Sequence, residues 1–230
     1  MMAEADTRSL LVAGMTALGL ENSGRRAGLL LAYLDLLARW NRAYNLTAVQ
    51  EEADQVVRHL LDSLAVAHLL TGERFMDVGS GAGLPGLPLA IVYPQRSWAL
   101  VDASAKRVRF LRHAVARLGL ENVECVHARV EDYEAAEAFD TVLSRAYASL
   151  ADFAGSAGCH CAADGCLAAM KGRLPEEELA GLPPGWRVTG LHRLTVPGLD
   201  AERHLVVMTQ HGAGRGGRER VLQGPANLTE

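Results

Sequence analysis

The chain has 230 residues, 49% of them hydrophobic and 22% charged, enough apolar surface for one sizeable α/β core closed without disulfides or metals. Its formal net charge is −4, so composition alone does not announce a nucleic-acid partner and any case for one has to be local. The first ten residues include Glu4, Asp6 and Arg8, unlike a signal peptide, and the apolar run 84–93 is broken by Pro85, Gly86 and Pro88 and is too short for a bilayer; a soluble, cytoplasmic protein is expected.

Residues 1–70 read as a helical extension. Leu30, Leu34, Leu37 and Asn41 recur at helical spacing after a Ser23 cap, and a second helix over 51–70 carries Val56, Leu60, Leu64 and Ala67 on one side. The pattern changes at Gly72. Residues 74–78 form a short apolar run entering the glycines at 79–81, as a buried parallel strand does. A helix follows from about Pro85, a strand over 97–101 ends at Asp102, and a long helix spans 105–118 and stops near Gly119. Further strands are expected at 123–126, 141–144, 165–170 and 204–209. Strands alternating with helices make residues 71–210 an α/β core with a mostly parallel, doubly wound sheet and helices on both faces. Residues 211–230 hold five glycines with Arg215, Arg218 and Arg220 and read as a flexible, solvated tail.

The informative stretch is 77–86. Glycines there allow tight turning and close approach of a ligand, and the helix N-terminus behind them favours an anion. Two nucleotide-binding frames fit. Gly81-x-Gly83-x-x-Gly86 with Asp102 matches a dinucleotide fingerprint. Asp77-x-Gly79-x-Gly81-x-Gly83 matches the acidic-glycine motif of class I methyltransferases and fits better, because the carboxylate precedes the glycines at the strand end. Asp102 suits two ribose hydroxyls, or else caps the next helix with Ser104. Glu131 and Asp132 follow the third strand, where a polar loop meets an adenine edge or simply turns in solvent. On the helix after Asp102, Lys106, Arg109, His113 and Arg117 share one side with Arg112 beside them, opposite Val108, Leu111, Val115 and Leu118. That basic side is either solvated or an RNA track. Cys159, Cys161 and Cys166, with His160 between, match no common zinc module; buried thiols are the favoured reading and no metal is expected.

Trp40-Asn41-Arg42-Ala43-Tyr44-Asn45-Leu46-Thr47, Arg58-His59-Leu60-Leu61-Asp62-Ser63, the stretch from Asp77 to Pro88, and Lys106-Arg107-Val108-x-Phe110-Leu111 follow one another in order. Ser144-Arg145-Ala146, Lys171-Gly172 and the run from Glu202 to Val207 complete the series. This co-linear set resembles the RsmG (GidB) family of bacterial 16S rRNA guanine-N7 methyltransferases over about residues 20–209; the tail after His211 departs from it. The resemblance implies a class I, Rossmann-like fold, S-adenosyl-L-methionine (SAM) as cofactor, and N7 of guanine 527 of 16S rRNA as acceptor, with the 30S subunit as partner, no membrane, and a monomer. It also implies that Asp77, Gly79, Gly81, Gly83, Leu84, Asp102, Val130, Glu131 and Arg145 hold the cofactor, with Arg145 the candidate catalytic residue. Asn45, Thr47, His59, Lys106, Arg109 and Lys171 are the candidate RNA contacts. Competing readings are a SAM methyltransferase acting on another RNA, a protein or a small molecule, a nicotinamide oxidoreductase, and a non-catalytic rRNA-binding assembly factor.

Overall fold

The computed structural model describes residues 4–21, 24–49, 51–147 and 149–211. Seven strands form one sheet: β1 (Arg74–Val78), β2 (Ser97–Asp102), β3 (Val123–His127), β4 (Phe139–Arg145), β5 (Cys161–Lys171), β6 (Trp186–Arg193) and β7 (His204–Gln210). Their spatial order is β3-β2-β1-β4-β5-β7-β6. β1 to β5 pair in parallel, and β7 runs antiparallel between β5 and β6. A dinucleotide-binding sheet has six strands in the order 3-2-1-4-5-6, so the antiparallel insertion separates the two frames left open by the glycines. β1 is buried on both faces from Phe75 to Val78, as a central strand covered by helices has to be.

β6 is the strand that sequence reading missed. Its residues alternate half-buried and exposed from Trp186 to Arg193, the period-two pattern of a strand with one solvated face. Gly190 and a register shift between Val188 and Gly190 interrupt it. Polar residues and a glycine on an edge strand weaken the apolar signal that marks the central ones.

Helices α1 (Glu4–Ala17) and α2 (Gly24–Tyr44) precede a helical stretch made of α3 (Glu52–Gln55), a π turn (Val56–Leu61) and α4 (Asp62–Leu64); a short 3-10 turn covers Ala67–Leu69. Ser23, the expected cap of α2, lies outside the described residues, as does the expected tail beyond His211. The helix expected over 51–70 is thus shorter and changes pitch, yet Val56, Leu60, Leu64 and Ala67 are all buried as the spacing predicts. The π turn has a consequence for chemistry: within Val56–Leu61 every residue except Arg58 is buried, so polar His59 is drawn inward beside the leucines. α5 (Gly86–Val92) and α6 (Ala105–Leu118) follow β1 and β2, and α7 (Leu150–Ala157) and α8 (Glu176–Ala180) flank β5. No described helix is long and apolar enough to cross a membrane.

Each face of the sheet has its own apolar cluster. One joins Leu11 and Met15 of α1, Leu30 and Leu37 of α2, Leu60 and Leu64 with Phe75, Leu87, Leu100 and Phe110. The other lies under α7 and joins Met76, Val101, Val142, Phe153 and Leu167. Residues before 70 therefore join the core on one sheet face rather than forming a separate one. Gly14 of α1 lets that contact close tightly, since a Cβ there would force the Leu61 methyls to shift. Because the core is continuous, Leu60→Ala is expected to cost about 2–5 kcal/mol and to lower the midpoint for the whole molecule. Far-UV circular dichroism and tryptophan fluorescence in urea should give one coincident transition; two separated transitions would show that the amino-terminal helices fold independently.

Candidate nucleotide and methyl-acceptor site

The strand order reverses between β1 and β4, and the crevice beyond their carboxyl ends is where an open α/β sheet takes a ligand. The loop leaving β1 builds that crevice. Gly79 and Gly81 have φ of +67° and +58°; a Cβ on Gly79 would meet nothing within 4 Å, and one on Gly81 only the Gly79 carbonyl at 3.8 Å. Both face open space that a side chain would fill, which is the shape a closely apposed ligand requires. Gly83 and Gly86 differ: a Cβ at Gly83 would strike Leu87, and one at Gly86 would strike Leu100 and Asp77. Of the four loop glycines, two make room for a ligand and two let α5 pack.

Asp77 is fully buried at the end of β1. Its Oδ2 accepts from the Gly86 N–H at 2.9 Å, while Oδ1 is sealed from solvent without a partner. Burial pushes this carboxyl up to about 7, against the opposing pull of the Gly86 N–H and the charge of Arg145. A buried carboxylate with an orphan oxygen beside a glycine cradle fits a cationic group of a ligand. Asp102, 4% exposed, holds the loop from the other side: Oδ2 accepts from the Gly81 N–H and Oδ1 from the Ser104 N–H, both at 2.8 Å. Arg107 approaches Oδ2 at 3.4 Å. The capping role and the ribose role expected for Asp102 are compatible through Oδ1, which accepts only from Ser104 and keeps a lone pair, whereas Oδ2 already accepts from Gly81 and Arg107. Asp102 faces Val130 and Glu131 across a cleft also lined by Gly79, Ala103 and Tyr147; Tyr147 had no sequence signal.

A second cleft shares the Gly79 wall and is lined by Thr47, His59, Gly81, Leu84, Arg107, Arg145 and Ala146 among others. Thr47 is clamped by Asn41, whose side chain donates to the Thr47 carbonyl at 2.9 Å and accepts from its N–H at 2.8 Å. The Thr47 hydroxyl lies 2.8 Å from His59 Nε2. Burial, reinforced by the positive charge of Arg145, drives His59 down to about 4, so the ring is neutral at physiological pH. Asn41, which the sequence offers as a helical-stripe and motif residue without a role in the site, is the residue that shapes this loop. Asn45 is exposed at the turn with φ of 50° and is not among the residues lining the cleft.

Arg145 ends β4 and is followed by Ala146 at φ of 66°, a left-handed conformation costly for a residue with a Cβ and found where structure imposes it. Its guanidinium donates to Asp62 Oδ2 and to the Arg58 carbonyl, both at 3.2 Å. Asp62, 4% exposed at its side chain, also accepts from Arg203 Nε at 2.7 Å. The sequence around Arg203 carries no signal of its role; only the fold shows that it and Arg145 meet on one carboxylate. The candidate RNA contacts separate. Thr47 and His59 reach the cleft. Lys106 sits over the Tyr44 ring at 5.6 Å, and Arg109 is exposed on α6. Lys171 is engaged elsewhere: its ammonium bonds Glu178 at 2.8 Å and is 11% exposed, and Glu178 also accepts from the Leu150 N–H, so this pair docks α7 and α8 on β5.

The seven-stranded order and the glycine loop at the switch point define a SAM-dependent methyltransferase core. The chain belongs to the rRNA small subunit methyltransferase G (GidB) family, whose model matches residues 26–206. It is 50% identical over 203 residues to ribosomal RNA small subunit methyltransferase G of Methylococcus capsulatus, covering 88% of this chain and 98% of that one. To the protein of the same description in Shigella flexneri it is 48% identical over 192 residues, 83% of this chain and 92% of the other. Among solved structures it resembles a SAM-dependent methyltransferase from Aquifex aeolicus, with a TM-score of 0.52 at 19% identity over 67% of this chain and 92% of that one. TrmN from Thermus thermophilus gives 0.50 at 20% identity over 75% and 52%. These two likenesses are of fold alone.

Two outcomes follow from the buried charges. Asp62→Ala leaves two guanidiniums without their carboxylate and is expected to cost about 3–5 kcal/mol, read as a lowered thermal midpoint. Asp77 has a folded-state value of about 7 against 3.8 unfolded, so its contribution to stability is complete below about 4 and is lost as pH rises through about 7. Asp77→Asn should therefore raise the midpoint of the ligand-free protein most at pH 8, by about 2–4 °C per kcal/mol relieved, less at pH 5, and little below about pH 4. An equal effect at pH 5 and pH 8 would show that folding does not raise the Asp77 carboxyl above its unfolded value.

Proposed function

We propose that the protein transfers the methyl group of SAM to N7 of guanine 527 of 16S rRNA, working as a monomer on the 30S subunit or its rRNA in the cytoplasm. The observation that carries this reading is the pair of adjoining clefts that meet at Gly79, in a chain of this family: one suits a nucleoside, the other opens toward Thr47, His59 and Arg145. The cofactor supplies an electrophilic methyl on a cationic sulfonium. In the proposed site Asp102 would accept from the ribose hydroxyls, Val130 and Glu131 would flank the adenine, and the bare faces of Gly79 and Gly81 would admit the chain between. Gly83 and Leu84 support the loop, and the orphan oxygen of Asp77 would accept from the amino group of the methionine portion.

Guanine N7 carries a free lone pair and no proton, so no general base has to create the nucleophile. Positive charge is moved from sulfur to the purine rather than created, and the cleft has to accommodate one cation before and after. Neutral His59 adds no charge to it, and Asp62, shared between Arg145 and Arg203, offsets part of theirs. The remaining task is alignment, for which positioning supplies roughly 7–11 kcal/mol in well-oriented reactions. Arg145 is assigned to orient the base or the cofactor carboxylate. N7 lies on the major-groove edge, which side chains do not reach in A-form RNA, so the target is a loop base or one drawn out of its stack.

The test is transfer of tritium from labelled SAM to 30S subunits lacking the modification, with the labelled nucleotide identified. Label confined to one N7-methylguanosine at position 527 is the expected result; no label from a protein that binds SAM calorimetrically would end the assignment. In the same assay Arg145→Ala is expected to lose about 100-fold in turnover, the scale of a small misplacement of reacting groups. Normal turnover with unchanged affinities would remove Arg145 from the mechanism.

A further inference from the structure

The basic side of α6 is divided by the fold. The helix carries Lys106, Arg107, Arg109, Arg112, His113 and Arg117 and no acidic residue, in a chain whose net charge is −4. Three of these are drawn into the protein's own structure. Lys106 covers Tyr44, His113 lies 5.3 Å from the Trp40 ring, and Arg107 reaches Asp102. Arg109 and Arg112 turn the other way, toward the open edge of the sheet, and line a notch with Ala105, Val108 and His127 of β3.

No carboxylate among the described residues pairs with Arg109, Arg112 or His127. Glu124, the acidic residue of β3, points to the opposite face of that strand from Cys125 and His127. Arg112 spends one N–H on the Cys125 carbonyl at 3.4 Å and keeps the rest of its fork. The notch also adjoins the site. His127 Nε2 is 3.2 Å from the carbonyl of Ala103, and Ala103 lines the nucleoside cleft beside Asp102. Uncompensated guanidiniums in a shallow concave seat at the rim of a nucleotide site complement a string of phosphates.

We propose that the notch formed by Arg109, Arg112 and His127 seats the phosphodiester backbone of the RNA next to the methylated nucleotide, whereas Lys106 and His113 hold α2 against α6. This inference rests on the rRNA reading of the adjoining site. It predicts which arginines add to affinity without regard to sequence, since backbone contacts position an RNA and do not read it.

The experiment measures binding of the full-length protein to 30S subunits and to protein-free 16S rRNA by fluorescence anisotropy across a KCl series. With Arg109→Gln and Arg112→Gln the slope of log affinity against log salt should become shallower by about 1 per arginine removed, in both substrates. SAM affinity and the thermal midpoint should stay at wild-type values, and Arg109→Lys should restore most of the slope. Arg187→Gln, on exposed β6 at the far edge of the sheet, should leave the slope unchanged. An unaltered slope in the α6 variants would overturn the proposal, as would an equal effect from Arg187→Gln. A slope changed with 30S subunits but not with protein-free rRNA would overturn it in favour of an acidic protein surface. Because the readout is binding, failure of methyl transfer would strike the rRNA assignment separately.

Discussion

The carboxylate of Asp62, almost sealed from solvent, receives one guanidinium from the end of β4 and another from just before β7. These partners lie 83 and 141 residues away along the chain. One aspartate at the end of the π turn thereby ties the amino-terminal helices to the sheet on the side where the ligand clefts open. Such a pair is weak evidence for net stability, since desolvation offsets much of the attraction. Its effect is on geometry and charge. It fixes where Arg145 sits, and Arg145 in turn is a source of the field felt by Asp77 and His59.

The glycine loop obeys a related constraint. Asp77 is buried with one oxygen satisfied by α5 and the other by nothing, so the ligand-free protein carries a cost at neutral pH that a cationic ligand group would relieve. Asp102 spends its carboxylate on the same loop and on the start of α6, coupling the nucleoside cleft to the helix that follows. The site is thus assembled from unfinished polar contacts held open by rigid elements, the arrangement by which binding energy is reserved for ligand rather than used up in the fold.

The two adjoining clefts differ in how they are walled. The proposed nucleoside side is built from the ends of consecutive parallel strands, as the sheet topology requires. The proposed acceptor side needs residues from outside the sheet: the Asn41–Thr47 clamp, the π turn that turns His59 inward, and left-handed Ala146. Sharing one apolar cluster with the sheet keeps those outside residues in register with the glycine loop.

Much of this was legible in the sequence because it is local. β1, β2 and α6 lie within a residue or two of their expected places, since apolar runs, the glycine turn and the Asp102 and Gly119 boundaries are written in adjacent residues. The family resemblance likewise rests on contiguous motifs, and the glycine loop with Asp77 and Asp102 lies where they put it. What the sequence could not decide depends on residues far apart in the chain. β6 has too little apolar character to stand out until β7 pairs with it. Lys171 reads as a free cation until Glu178 folds over it, and the basic residues of α6 read as one face until α2 claims some of them and β3 leaves the others open. Arg203, Asn41 and Tyr147 acquire their places only through tertiary contact. Periodicity reports which way a side chain points from its own backbone; which charge it meets there is settled by the packing of distant elements.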